Sequence, residues 1–322
     1  MSCELTLMSE KIYGRKPVLE ALRSGNRTVS RVYLMQGSRD GILNQIEAHA
    51  QAKGIPITLE TRHRMDTMAG NDKHQGAIAV AEDYKYSDLQ DILDTAREKN
   101  EPAFMILLDE IEDPHNLGAI IRSADAAGVH GVVIPKNRAV EVNSTVIKSS
   151  AGAAEHVTTV KVTNMNDTIR KLKDMNIWVV GADGNATKNF FEYDFRQPVA
   201  LVIGNEGKGI RRLVKENCDE LVKIPMAGKM SSLNASVASA ILLFEVARQR
   251  KWGVVSPRVE PPVSSYGVGL SPERDFFRSG PDPAFETPDE GPAQTIDLSP
   301  SDNLEEGPQF PPEAPKGGGF KW

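Results

Sequence analysis

The chain has 322 residues, 40% hydrophobic and 25% charged, with a formal net charge of −6. At roughly 100–200 residues per domain this length suggests two domains, or two plus a tail, and no apolar run approaches the ~18–20 residues that span a bilayer. Two cysteines, Cys3 and Cys218, make neither a disulfide framework nor a four-ligand zinc site, and Met1-Ser2-Cys3-Glu4 opens without a basic-then-apolar leader. The expectation is a soluble, cytoplasmic protein with no membrane and no metal partner.

Residues 10–85 read as a small α/β unit. A short helix over 17–22 is followed by a strand over 31–35, a helix over 41–52 ended by Gly54, and strands at 57–59 and 77–81. Arg15, Lys16, Arg23, Arg27 and Arg31 cluster near its start, a mild basic face that could meet phosphates. Residues 86–102 are polar and read as a linker with a short helix. From 103 to 251 the pattern becomes a longer α/β domain. Apolar runs at 103–108, 131–134, 177–181, 199–203 and 221–224 suit strands buried on both faces of a parallel sheet. Helices are expected near 116–127, 143–150, 166–175, 210–217 and 232–250. Residues 252–322 carry 13 of the 20 prolines and a net charge of −7, from 5 basic and 12 acidic groups, leaving the rest of the chain at +1. That stretch reads as a disordered, acidic, proline-rich tail, and the near-neutral body leaves a nucleic-acid partner open through a local basic patch.

Three loops fall at the carboxyl ends of expected strands, where open α/β sheets bind ligands. The first is Asp109-Glu110-Ile111-Glu112-Asp113-Pro114-His115-Asn116, with Asn116 as a candidate helix cap and Arg122 on the following helix. The second, Gly204-Asn205-Glu206-Gly207-Lys208-Gly209, joins a strand to a helix with three glycines in six residues. It lacks the order of the nucleotide-phosphate motifs, and Glu206 puts a negative charge where a phosphate would sit, so it suits a cofactor with a cationic part. The third runs from Ile224-Pro225-Met226 to Ser231-Ser232-Leu233-Asn234-Ala235-Ser236, with Ser231 or Ser232 as candidate cap of the last helix. No Ser-His-Asp set, metal-ligand cluster or glycosidase-like carboxylate pair stands out. The residues alone reach an α/β enzyme with a loop-built cofactor pocket.

In this order and spacing, Asn116-Leu117-Gly118-Ala119-Ile120-Ile121-Arg122, Val202-Ile203-Gly204-Asn205-Glu206-Gly207-Lys208-Gly209, and Ile224-Pro225-Met226 with Ser232-Leu233-Asn234-Ala235-Ser236 resemble the SpoU (TrmH) family of RNA ribose 2′-O-methyltransferases. Tyr13-Gly14-Arg15-Lys16-Pro17-Val18 and His74-Gln75-Gly76 resemble its substrate-binding domain. The resemblance implies a knotted parallel-sheet domain preceded by a small α/β domain. It implies S-adenosylmethionine held by Gly204, Ile224, Met226 and Leu233, largely through backbone groups. It implies a catalytic and RNA-positioning set of Asn116, Arg122, Glu206, Ser232 and Asn234, with Asn116 and Glu206 orienting Arg122. Arg122 would hold the target phosphate and bias the hydroxyl; as the base itself it is a poor candidate, since guanidinium rarely gives up a proton. A homodimer and an RNA substrate follow, foremost a guanosine of 23S rRNA. The alternatives are a tRNA ribose methyltransferase and a non-catalytic RNA-binding protein.

Overall fold

A computed structural model describes residues 9–252, apart from 39, 71, 72 and 231. The tail expected beyond Trp252 lies outside the described residues.

The first unit is β1 (Ser9–Tyr13), α1 (Arg15–Ser24), β2 (Val29–Met35), α2 (Gly41–Ala52), β3 (Ile57–Glu60), α3 (Arg62–Ala69) and β4 (Ala77–Glu82). Its sheet runs β1-β4-β2-β3, with β4 antiparallel to both neighbours and β2 parallel to β3. The sequence pattern predicts neither β1 nor α3. Only Ile12 of β1 and Met65 of α3 are buried, so neither shows an apolar period. Thr61 and a left-handed Gly70 fix the ends of α3 instead.

Next comes α4 (Leu89–Glu98), opened by a capping box of Asp88 and Asp91. Its Ile92 and Leu93 are buried with Met105, Leu107 and Val133, so this segment covers one face of the larger sheet. The larger unit then follows as β5 (Phe104–Asp109), α5 (Pro114–Ala127), β6 (Gly131–Pro135), α6 (Ser144–Ser149), β7 (Thr158–Val162), α7 (Met165–Asp174), β8 (Trp178–Ala182), β9 (Lys188–Asn189), β10 (Val199–Gly204), α8 (Arg212–Glu216), β11 (Glu220–Lys223) and α9 (Ala235–Ala247).

All pairs in this sheet are parallel, in the order β7-β6-β5-β10-β8-β11-β9. The α/β class and parallel sheet expected from the apolar runs are thus present. β5 is buried along its whole length, and its residues alternate between two cores. Phe104, Ile106 and Leu108 face Leu117, Ile120 and Leu243 of α5 and α9, while Met105 and Leu107 face Ile169 and Leu172 of α7. From β5 the chain steps outward to β7, returns on the far side as β8, and later inserts β10 between β5 and β8. That reversal of order falls between β5 and β10, and open α/β sheets bind ligands at the carboxyl ends of strands beside such a point.

The two units share one apolar cluster, in which Ile12, Val18 and Leu22 join Ile106, Leu117 and Leu243. A Cβ on Gly152 would stand 2.8 Å from Glu20 Cβ and 3.2 Å from Pro17 Cα, so the backbones meet closely here. Arg27 does not belong to an exposed basic face. It is 4% exposed and donates to Glu155 Oε1 at 2.5 Å and to Glu10 Oε2 at 2.9 Å. Arg15 and Arg23 are also engaged, with Asp40 and Glu20, so much of the expected cationic cluster is neutralised within the fold. Removing one partner of a buried ion pair leaves a charge uncompensated. Arg27→Ala should therefore lower the unfolding free energy by about 3–5 kcal/mol in urea titrations. A loss below about 1 kcal/mol, the range of exposed pairs, would show that Glu155 has water or another cation at hand.

Candidate active site

The β5–α5 loop begins with two carboxylates. Asp109 is fully buried at the end of β5 and accepts from Arg211, at 2.8 Å from its backbone N–H, 2.9 Å from Nε and 2.6 Å from Nη2. These bonds fasten the chain after the glycine turn to the centre of the sheet, and they hold the Arg211 guanidinium more firmly protonated than usual. Glu110 follows with φ of 63°, a left-handed conformation costing a non-glycine residue roughly 1–3 kcal/mol. Its carbonyl accepts from Asn205 Nδ2 at 3.1 Å, so the strained residue is part of the tie between the first and second loops.

Asn116 does not cap α5. Asp113 does, accepting from the backbone N–H of His115, with Pro114 in the first turn, where a missing N–H costs nothing. Asn116 lies in the first turn, 7% exposed, and its side chain is free to reach across to the second loop.

The glycine turn closes on itself. A Cβ on Gly204 would come within 2.1 Å of the Gly209 carbonyl carbon, so only glycine fits. Asn205 Oδ1 accepts from the Gly207 backbone N–H at 2.9 Å, and the Asn205 carbonyl accepts from that of Gly209 at 2.7 Å. Glu206 stands at the tip. Its Oε1 accepts from Asn116 Nδ2, from Asn234 Nδ2 at 2.8 Å and from the Ala235 backbone N–H at 3.4 Å. Asn234 Nδ2 also donates to Asn116 Oδ1 at 3.0 Å. The other end of Asn234 caps α9, with Oδ1 accepting from the Ser236 backbone N–H at 2.9 Å. Asn234, not Ser231 or Ser232, is therefore the cap; Ser231 lies outside the described residues.

Beside this triad is a cavity of about 210 Å³. Gly204, Ile224, Met226 and Leu233 line it, together with Glu206 and Ser232. Asn116 and Asn234 join through Glu206. Arg122 is not brought in: it is exposed, and among the described residues it makes no hydrogen bond or ion pair, with Asn116 and Glu206 included. Six residues after Asn116 on one helix, it lies about 9 Å along the axis and on another face. Ala182, Asp183 and Gly184, at the carboxyl end of β8, also line the cavity and were not singled out from the sequence. The signal was their position after a strand adjoining β10.

The cavity suits a cofactor that is apolar over much of its surface and cationic at one point. Ile203, Val222, Ile224 and Leu233 supply apolar walls, and Glu206 supplies a carboxylate at the mouth. Among the described residues no group of three or more His, Cys, Asp or Glu side chains could hold a metal ion.

Residues 103–244 match the SpoU rRNA methylase family, and residues 11–87 match the RNA 2′-O ribose methyltransferase substrate-binding family. The 23S rRNA (guanosine-2′-O-)-methyltransferase RlmB of Escherichia coli K12 is 42% identical over 243 residues, covering 76% of this chain and all of the relative. YacO of Bacillus subtilis, provisionally named a TrmH family tRNA/rRNA methyltransferase, is 47% identical over 239 residues, 74% of this chain and 95% of the relative. Among solved structures, the SpoU methyltransferase AviRb of Streptomyces viridochromogenes in complex with AdoMet superposes with a TM-score of 0.64 at 27% identity, over 75% of this chain and 90% of its own. The loop motifs, the parallel sheet and these likenesses agree, and the chain belongs to the SpoU rRNA methylase family.

Proposed function

We propose that this enzyme transfers a methyl group from S-adenosylmethionine to a ribose 2′-hydroxyl of 23S rRNA, at a guanosine. The observation that carries the reading is the convergence of Asn116, Asn234 and the Ala235 N–H on one oxygen of Glu206, beside an apolar cavity. When bound, S-adenosylmethionine supplies an electrophilic methyl on a sulfonium, which the hydroxyl takes in one displacement. Ile224, Met226 and Leu233 would hold the cofactor against apolar walls, and Gly204, whose missing side chain makes room for Gly209, would contribute backbone groups. Glu206 Oε1 is committed to its three donors, and Oε2 would be the oxygen that accepts from the reacting groups. Ser232 would shape the mouth. Arg122, exposed and without a partner among the described residues, would hold the phosphate next to the target ribose, so that positioning and electrostatics supply the acceleration.

The reading assigns residues 10–85 to RNA capture and 103–251 to chemistry, with the chain after β10 threaded through an earlier loop as a trefoil knot. The Arg211–Asp109 bonds support that course, since they pin the segment after the glycine turn against the end of β5. An rRNA substrate puts the enzyme in the cytoplasm. A homodimer completes the reading. Val237 and Phe244 of α9 are 47% and 38% exposed, with Ile241 half-buried between them, so an apolar stripe recurs on one outer face of a helix that is apolar all round.

Labelled S-adenosylmethionine incubated with unmodified 23S, 16S and tRNA transcripts, followed by alkaline mapping, tests the activity. A 2′-O-methyl group blocks cleavage at its own phosphodiester, so one protected guanosine in 23S rRNA is expected. Arg122→Ala should lower the rate at least about 100-fold with cofactor affinity unchanged, the scale of losing one transition-state contact. Label only in tRNA would overturn the substrate, and near-normal turnover of the variant would overturn the role of Arg122. For the dimer, Val237→Glu should sediment as a monomer where the wild type sediments as a dimer. A monomeric wild type would contradict the assembly.

A further inference from the structure

The catalytic reading leaves one charged residue of the cavity without a task. Asp183 follows β8 and lines the cavity with Ala182, Val222 and Ile224. In the strand order β5-β10-β8, it stands across β10 from the Asn116 side. Its side chain is only 10% exposed. Oδ1 accepts from the Asn185 backbone N–H at 2.8 Å, and Oδ2 is ion-paired with Lys215 of α8. Burial alone pushes the carboxyl up, but the hydrogen bonds from Lys215 and the Asn185 N–H outweigh it and hold Asp183 below the usual carboxylate range. A carboxylate offers about four acceptor positions, so two remain.

The Lys215 contact decides what those positions suit. An isolated carboxylate would act as counter-ion to an ammonium or sulfonium. One already neutralised by a lysine has little net field to offer a second cation, but its lone pairs still accept from neutral O–H donors. Within an adenosine-bearing cofactor those donors are the ribose hydroxyls. Strand-end carboxylates of doubly wound sheets accept from ribose hydroxyls in the same way.

We propose that Asp183 is the ribose-binding residue of this enzyme, accepting hydrogen bonds from the ribose hydroxyls of S-adenosylmethionine while Lys215 and the Asn185 N–H hold its carboxylate in place. The assignment rests on the reading of this cavity as the cofactor site. It divides the cavity's two carboxylates between two tasks, with Glu206 at the reacting end and Asp183 at the sugar.

Calorimetric titration of the full-length protein with S-adenosylhomocysteine and its 2′-deoxy and 3′-deoxy analogues tests it without turnover. Wild-type protein should bind at least one deoxy analogue about tenfold or more weakly, the scale of losing a hydrogen bond to a charged group. Asp183→Ala should bind the parent compound weaker by a similar factor and no longer distinguish the analogues. Asp183→Asn, which keeps an acceptor for the Asn185 N–H, should fall between. If wild-type protein binds both deoxy analogues as tightly as the parent, the inference fails, whatever the variants do. It also fails if Asp183→Ala discriminates among them as the wild type does. Leu233→Trp, which fills the cavity, separates the two levels. If it binds the parent compound normally, the cavity is not the cofactor site and both readings fall. If it loses binding while Asp183→Ala does not, only the role of Asp183 is wrong.

Discussion

One carboxylate oxygen holds the site together. Glu206 Oε1 receives an amide from the first turn of α5, another from the cap of α9, and the first backbone N–H of α9. These donors come from segments about 90 and 28 residues away, measured from Asn116 and Asn234 to Glu206. The bonds fix the tip of a glycine-rich turn that is already closed by its own Asn205–Gly207 and Asn205–Gly209 bonds. They also set two helix starts side by side. Both helices pack their far faces into the same core, through Leu117 and Ile120 of α5 and Leu242 and Leu243 of α9, so the polar contact at the top and the apolar contact below specify one geometry.

The sheet makes that meeting possible. Inserting β10 beside β5 brings the glycine turn next to the β5–α5 loop, with Gly204 in register with Asp109. Asp109 then captures Arg211, and Glu110, in its left-handed conformation, offers its carbonyl to Asn205. Three carboxylates at the carboxyl end of the sheet thus do different work: Asp109 anchors the chain, Glu206 gathers the site, and Asp183 lines the cavity beside β8. Their environments separate them. Asp109 is sealed under a guanidinium, Asp183 is neutralised by a lysine, and Glu206 is exposed among neutral amides.

The sequence showed the loops better than it showed their contacts. Glycine spacing after an apolar strand, and asparagines at helix starts, were enough to mark the two loops that line the cavity and the first loop, which ties to them through Glu206. The strands missed were the ones with water on one side, such as β1 with Ile12 alone buried and β7, where Thr158 and Lys161 interrupt the apolar run. The caps went to the wrong residues because serine and asparagine are generic cap signals. The pair Asp113-Pro114 was the more specific one at α5, since proline is preorganised for the first helical position. Pairing across the fold was not legible. Arg27 looked like a surface cation because Glu155 is 128 residues away, and nothing local announces a buried ion pair. Asp183 was passed over for the same reason, as a lone aspartate in a turn until the sheet puts it beside β10. Arg122, conspicuous in the motif, makes no hydrogen bond or ion pair with the Asn116–Glu206–Asn234 cluster.

The central claim is that Asn116 and Glu206 act as one unit. A double-mutant cycle on the single-turnover methyl-transfer rate addresses it, with Asn116→Ala, Glu206→Ala and the double variant measured at saturating cofactor and RNA. The account predicts that either substitution does most of the damage, so that the double variant is no slower than the slower single one, a coupling of roughly 1–3 kcal/mol. Losses that simply multiply would mean that the two residues work independently, and that Glu206 is not the atom on which the site converges.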